Sequence, residues 1–84
     1  MPAYGLVFAK RFEDDFEKLP TKIQGQVLNA LRRIQDNPFH AQKLKGISLG
    51  QWRYRVGDYR IRYDVVGQAI HLYVVRHRKD VYRR

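Results

Sequence analysis

Residues 51–65 read QWRYRVGDYRIRYDV, two alternating runs on either side of Gly57-Asp58. Strict alternation marks a strand with two unlike faces. A Gly-X pair between two such runs marks a tight hairpin, with Gly57 free to take the positive φ that a type II′ turn needs at its first central position. With Gly57 and Asp58 as the loop, Val56 opposes Tyr59, Arg55 opposes Arg60, Tyr54 opposes Ile61, Arg53 opposes Arg62 and Trp52 opposes Tyr63. The side-chain period of two then puts Trp52, Tyr54, Val56, Tyr59, Ile61 and Tyr63 on one face, and Arg53, Arg55, Arg60 and Arg62 on the other. Like charges directly opposite one another weaken a sheet. A fold that needed only solubility would mix acids among them. Four converging arginines point to a surface that binds an anion.

The remaining chain supplies what such a hairpin packs against. Tyr4 to Ala9 is a short β-prone run in which Tyr4, Leu6 and Phe8 share a face. From Lys10 the period changes: Phe12, Phe16 and Leu19 recur at helical spacing, with Glu13, Asp14, Asp15 and Glu17 near or on the outer side, until Pro20 ends the helix. Thr21 is placed to N-cap a second helix whose stripe is Ile23, Val27, Ala30, Leu31 and Ile34, stopped at Asn37-Pro38. Both stripes read as core. HAQKLKGISLG (40–50) reads as a loop that brings Lys43 and Lys45 beside the hairpin. After a turn at Val66–Ala69, AIHLYVVR (69–76) reads as a last strand, apolar on both parities as a central strand should be. Simple alternation assigns Ile70, Leu72 and Val74 to the core, and His71, Tyr73, Val75 and His77 to the arginine face. The order β-α-α-β-β-β predicts a small α+β domain, one unit over residues 1–84, with two helices packed on one face of a mainly antiparallel sheet.

Composition narrows the partners. The formal net charge of +9 on 84 residues points to a polyanion: nucleic acid, anionic lipid or an acidic protein. Half of the acids lie in the first helix and most bases in the second half, which separates a scaffold from a working surface. No apolar run approaches the roughly 18 residues of a membrane-spanning helix, and MPAYGLVFAK lacks the features of a signal peptide, so no membrane partner is expected. The absence of cysteine excludes disulfides and thiolate metal sites, and is compatible with a cytoplasmic location. His40, His71 and His77 show no metal-ligand spacing, and no phosphate-cradling glycine motif is present, so neither a metal nor another cofactor is expected.

KLKG at Lys43–Gly46, the RYRVGDYRIRYDV hairpin and the ending HRKDVYRR together resemble the RelE branch of the RelE/ParE toxin superfamily, the toxins of prokaryotic type II toxin–antitoxin pairs. The similarity covers essentially the whole chain, and GDYRIRY and HRKDVY are its most specific parts. The resemblance implies a ribosome-dependent endoribonuclease that inhibits translation. Such a toxin cleaves mRNA in the A site of the 30S subunit, among its rRNA, with the substrate's 2′-hydroxyl as nucleophile. It also implies a cognate antitoxin protein as partner. By position, the family's basic residues on the hairpin strands match Arg53 and Arg55. Its arginine on the second of those strands matches Arg60, the arginine after the last strand matches Arg78, and the C-terminal tyrosine matches Tyr82. Both hairpin positions are arginine here, where characterised relatives often carry lysine.

The chemistry asks for a base, charge stabilisation of the phosphorane and an acid for the leaving oxygen. Guanidinium groups suit the second task, binding phosphate bidentately while staying charged. They are poor bases, so proton transfer passes to Tyr82 by resemblance, or to His77, since histidine is the residue type most often used as a general base near neutral pH. Lys43, Lys45, Arg62, Arg76 and Lys79 extend the surface expected to hold RNA, and Tyr73 is placed to stack on a base. The aromatics of the hairpin sit on the helix-facing side and read as core. Two rival readings remain open at this point: a module that binds RNA or the ribosome without cleaving, and a ParE-like gyrase inhibitor.

Overall fold

The computed structural model describes residues 4–81. The first alternating run forms strand β1 (Gly5–Phe8), followed by helices α1 (Lys10–Glu17) and α2 (Thr21–Asp36). A two-residue strand β2 (Gln42–Lys43) precedes the hairpin strands β3 (Trp52–Val56) and β4 (Tyr59–Val66), the last strand β5 (Ala69–His77) and a helical turn α3 (Arg78–Val81). The five strands form one sheet in the order β1-β5-β4-β3-β2. β1 runs parallel to β5, and the other pairs are antiparallel. Phe12, Val27, Ala30, Leu31 and Ile34 of the helices meet Val56, Ile61, Tyr63, Ile70, Leu72 and Val75 of the sheet in one core. This is the expected α+β architecture, with β2 as an added edge strand inside the stretch read as loop.

The hairpin pairs residue for residue as the alternation requires, from Val56↔Tyr59 to Trp52↔Tyr63. Gly57 has φ of +58° and Asp58 is not in the positive region, as in a type II′ turn. Tyr63 anchors the helix side of β4: its ring is fully buried and its hydroxyl donates to the Pro38 carbonyl at 2.7 Å. That bond ties the centre of the sheet to the end of α2.

Three expectations are corrected. Thr21 is the first helical residue, not the cap; Pro20 takes the N-cap position with extended backbone, and no side chain caps the helix. On β5, Val74 is not the core residue: Val75 is buried, at 1% exposure, because the register shifts between Arg62 and Tyr63. Tyr63 pairs with Leu72 and Arg62 with Val74, so Tyr73 is the extra residue of a β-bulge. Beyond it every side chain changes face relative to simple alternation. Val75 and His77 therefore turn toward the helices, and Arg76 turns toward the arginines.

Candidate nucleic-acid interface

The bulge completes the arginine face. Arg55 pairs with Arg60 across β3 and β4, and Arg60 pairs with Arg76 across β4 and β5, so three strands place three arginines in one row. Arg53 and Arg62 form the next row. Arg78, at the start of α3, joins the hairpin-turn end: its Nε lies 3.7 Å from the Asp58 carboxylate and its N–H donates to the Asp58 carbonyl at 2.6 Å.

The arginines differ in how firmly they are held. Arg55 is exposed. Arg60 is only 7% exposed, and its Nη1 donates to the carbonyls of Gly57 and Tyr59, both at 3.1 Å, which braces the turn from within. Arg53 donates through Nη2 to the Gln42 side chain, while its Nε is buried without a hydrogen-bond partner. Arg62 donates through Nε to the Gly50 carbonyl at 2.7 Å. Burial depresses the Arg62 pKa, the charge of Arg53 adds to the effect, and Asp64 opposes it. Arg76 is drawn to Asp15 of α1, whose Oδ2 accepts both the Arg76 Nε and the Val75 N–H at 3.3 Å.

Asp15, Gly50 and Asp64 were not singled out by sequence. Asp15 read as one more outward acid of α1, yet it satisfies a strand N–H beyond the point where β1 ends. Asp64 breaks the run of arginines on its parity, and that break was the available signal. Its carboxylate accepts the N–H groups of Gly50 and Gln51 at 2.9 and 2.7 Å. Gly50 stands at φ +69°, and a Cβ there would meet the Arg62 Cβ at 3.3 Å. Tyr73 packs against the same glycine; burial, then the charge of Asp64 and a hydrogen bond to it, raise its phenol pKa. The extra residue of the bulge thus serves as a wall of the arginine face.

Other candidates lie elsewhere. His77 stacks edge-on against Tyr59 on the helix-facing side, at 5.2 Å between ring centres, and its Nδ1 accepts the Lys79 N–H at 3.2 Å. It does not join the arginine row. Lys43 pairs with Trp52, so it stands on the reverse face, its Nζ 5.7 Å from the centre of the indole ring. Lys45 and Lys79 are exposed. Tyr82 lies outside the described residues. Among the described residues no group of His, Asp and Glu is arranged to hold a metal ion, and no helix is long and apolar enough to cross a membrane.

Residues 6–82 match the family described as ParE toxin of the type II toxin–antitoxin system, parDE. The chain belongs to this family. Toxin RelE3 of Methanocaldococcus jannaschii is 32% identical to it, over 92% of this chain and 93% of that protein. The toxin's fold superimposes on the RelB–RelE antitoxin–toxin complex of Methanococcus jannaschii with a TM-score of 0.75, at 32% identity, covering 90% of this chain and 94% of that one. The isolated E. coli RelE toxin, at 24% identity, shares the fold with a TM-score of 0.78, over 89% of this chain and 84% of that one. The protein is a toxin of a type II toxin–antitoxin system in the RelE/ParE superfamily.

Proposed function

We propose that this toxin inhibits translation as a metal-independent endoribonuclease that cuts mRNA in the ribosomal A site. The observation that carries the reading is the row Arg55–Arg60–Arg76, with Arg53 and Arg62 beside it. Neighbouring strands are about 4.8 Å apart, close enough for adjacent guanidinium groups to grip one phosphate and its neighbour. Charge developing on the phosphorane oxygens would meet fixed cations already in place, and such preorganised charge is usually the largest single contribution to lowering a barrier. Arg60, braced against the turn, orients the row; Arg55 is the free arm; Arg78 adds charge at the turn. Proton transfer is assigned to Tyr82, the position that matches the family's C-terminal tyrosine by resemblance. A cognate antitoxin with an acidic segment is the expected partner, since relatives are found as RelB–RelE complexes and the charge of +9 favours such a ligand. Action on translating ribosomes places the toxin in the cytoplasm.

A non-cleaving inhibitor is the second reading. It is favoured by the arginine-only hairpin, which lacks a lysine able to shed a proton. The deciding experiment maps mRNA on programmed ribosomes by primer extension, for the wild type, Arg55→Ala and Arg60→Ala. Codon-phased cuts that fall by about 10²-fold or more in each variant are expected, the scale of losing one charge-stabilising donor. Intact message on stalled ribosomes would establish the binding inhibitor. Untouched translation would move the assay to gyrase.

A further inference from the structure

The reverse face of the sheet carries a second feature that the arginine row does not explain. Phe39, in the loop after α2, is 53% exposed although it is a large apolar ring. It meets Trp52 of β3 at 5.4 Å with the rings inclined by 67°, so the two make an open corner. Tyr4 supports Phe39 from behind, edge-on at 6.4 Å. Lys43 of β2 reaches over the indole of Trp52, and Val66, 60% exposed, closes one side of a cleft of about 340 Å³. The corner lies directly around the short strand β2 from Arg53, because Gln42 pairs with Arg53 and Lys43 with Trp52.

We propose that Phe39, Trp52 and Lys43 form a stacking site for an unpaired base of single-stranded RNA. The inference rests on RNA being the ligand of the arginine face, and extends that contact around the β2 edge. Exposed aromatic rings bind bases whatever their identity, and a neighbouring cation adds attraction for the backbone. A base laid on one ring of the corner presents its edge to the other. Lys43, exposed and on a flexible stem, swings from the indole to the phosphate beside that base. An apolar protein segment would fill the cleft as well, but a lysine poised over the indole and a net charge of +9 favour a polyanion.

Trp52 is the sole tryptophan, so its emission reports on this corner directly. The test titrates the full chain with a short, fluorescently labelled single-stranded oligouridylate. Total binding is followed by anisotropy and the corner by quenching of Trp52. Quenching that saturates with binding is expected, retained in Arg55→Glu at raised RNA concentration. Phe39→Ala should weaken it about tenfold or more, and Lys43→Met should weaken it and flatten the salt dependence. Phe39→Leu, which keeps the apolar bulk, should lose the same affinity and so separates stacking from packing. RNA binding with unchanged Trp52 emission would overturn the inference and leave the cleavage reading standing, since the ligand would then occupy the arginine face alone. Equal quenching by polyglutamate would overturn it in favour of an acidic polypeptide. Absence of any RNA binding would overturn it too, while the ribosome assay judges the function separately.

Discussion

Gly50 shows how much of this surface depends on one residue without a side chain. Its carbonyl accepts from Arg62, its N–H donates to Asp64, and Tyr73 packs on it. The backbone sits at φ +69°, where a side chain is strained, and a Cβ would press on the Arg62 Cβ at 3.3 Å. Gly50→Ala is expected to cost roughly 1–3 kcal/mol, read as a lower urea midpoint with an unchanged slope. On the proposed reading the variant should also bind RNA less well, because the Gly50 carbonyl that anchors Arg62 shifts with the loop; stability equal to wild type would show that the loop relaxes freely. From sequence, Gly50 read only as the end of a loop. Nothing local says that an arginine and an aspartate from β4 will close on it, since those contacts span more than ten residues of chain.

At the scale of elements, the bulge at Tyr73 and the junction of α1 with β5 decide which residues stand on the arginine face. The hairpin was legible because its period of two runs unbroken from Trp52 to Tyr63 and its turn is only two residues long. The last strand was not, because AIHLYVVR is apolar on both parities and offers no contrast from which to read a shift. The shift is settled instead by packing, which buries Val75, and by the edge of β5. There Asp15 accepts the Val75 N–H that β1 is too short to reach, and holds Arg76 by the same oxygen. Asp15→Ala is expected to lower stability by about 1–3 kcal/mol, the cost of leaving a partly buried donor unpaired. Asp15→Asn keeps an acceptor for the N–H and should lose less. Equal stability of all three in urea denaturation would show that the N–H finds water without cost.

For the whole molecule, charge and burial act in different pH ranges. Arg53, Arg55, Arg60, Arg62 and Arg76 concentrate repulsion on one sheet face, and two phenols packed into the same sheet resist ionisation. Burial, with a smaller push from Tyr54, raises the pKa of Tyr63; burial and Asp64 raise that of Tyr73. A folded-state pKa above the unfolded value of about 10 means that the folded chain keeps its protons longer. The stability they contribute is whole below about pH 10 and is lost as pH rises from there through the folded pKa values. Urea midpoints should therefore fall above about pH 10, and Tyr63→Phe, although less stable at neutral pH, should show a shallower alkaline decline. An identical decline would place the loss elsewhere. By itself the sequence determined the helix pair, the hairpin with its register and turn, and the arginines of its outer face, because each follows from a period or turn read over neighbouring residues. Only the tertiary structure decided that Arg76 joins the row while His77 leaves it, that Lys43 stands on the reverse face, and that Asp15, Gly50 and Asp64 hold the surface in place. Those outcomes depend on which strand edge lacks a partner and which side chain fills the core, and both are properties of the assembled sheet.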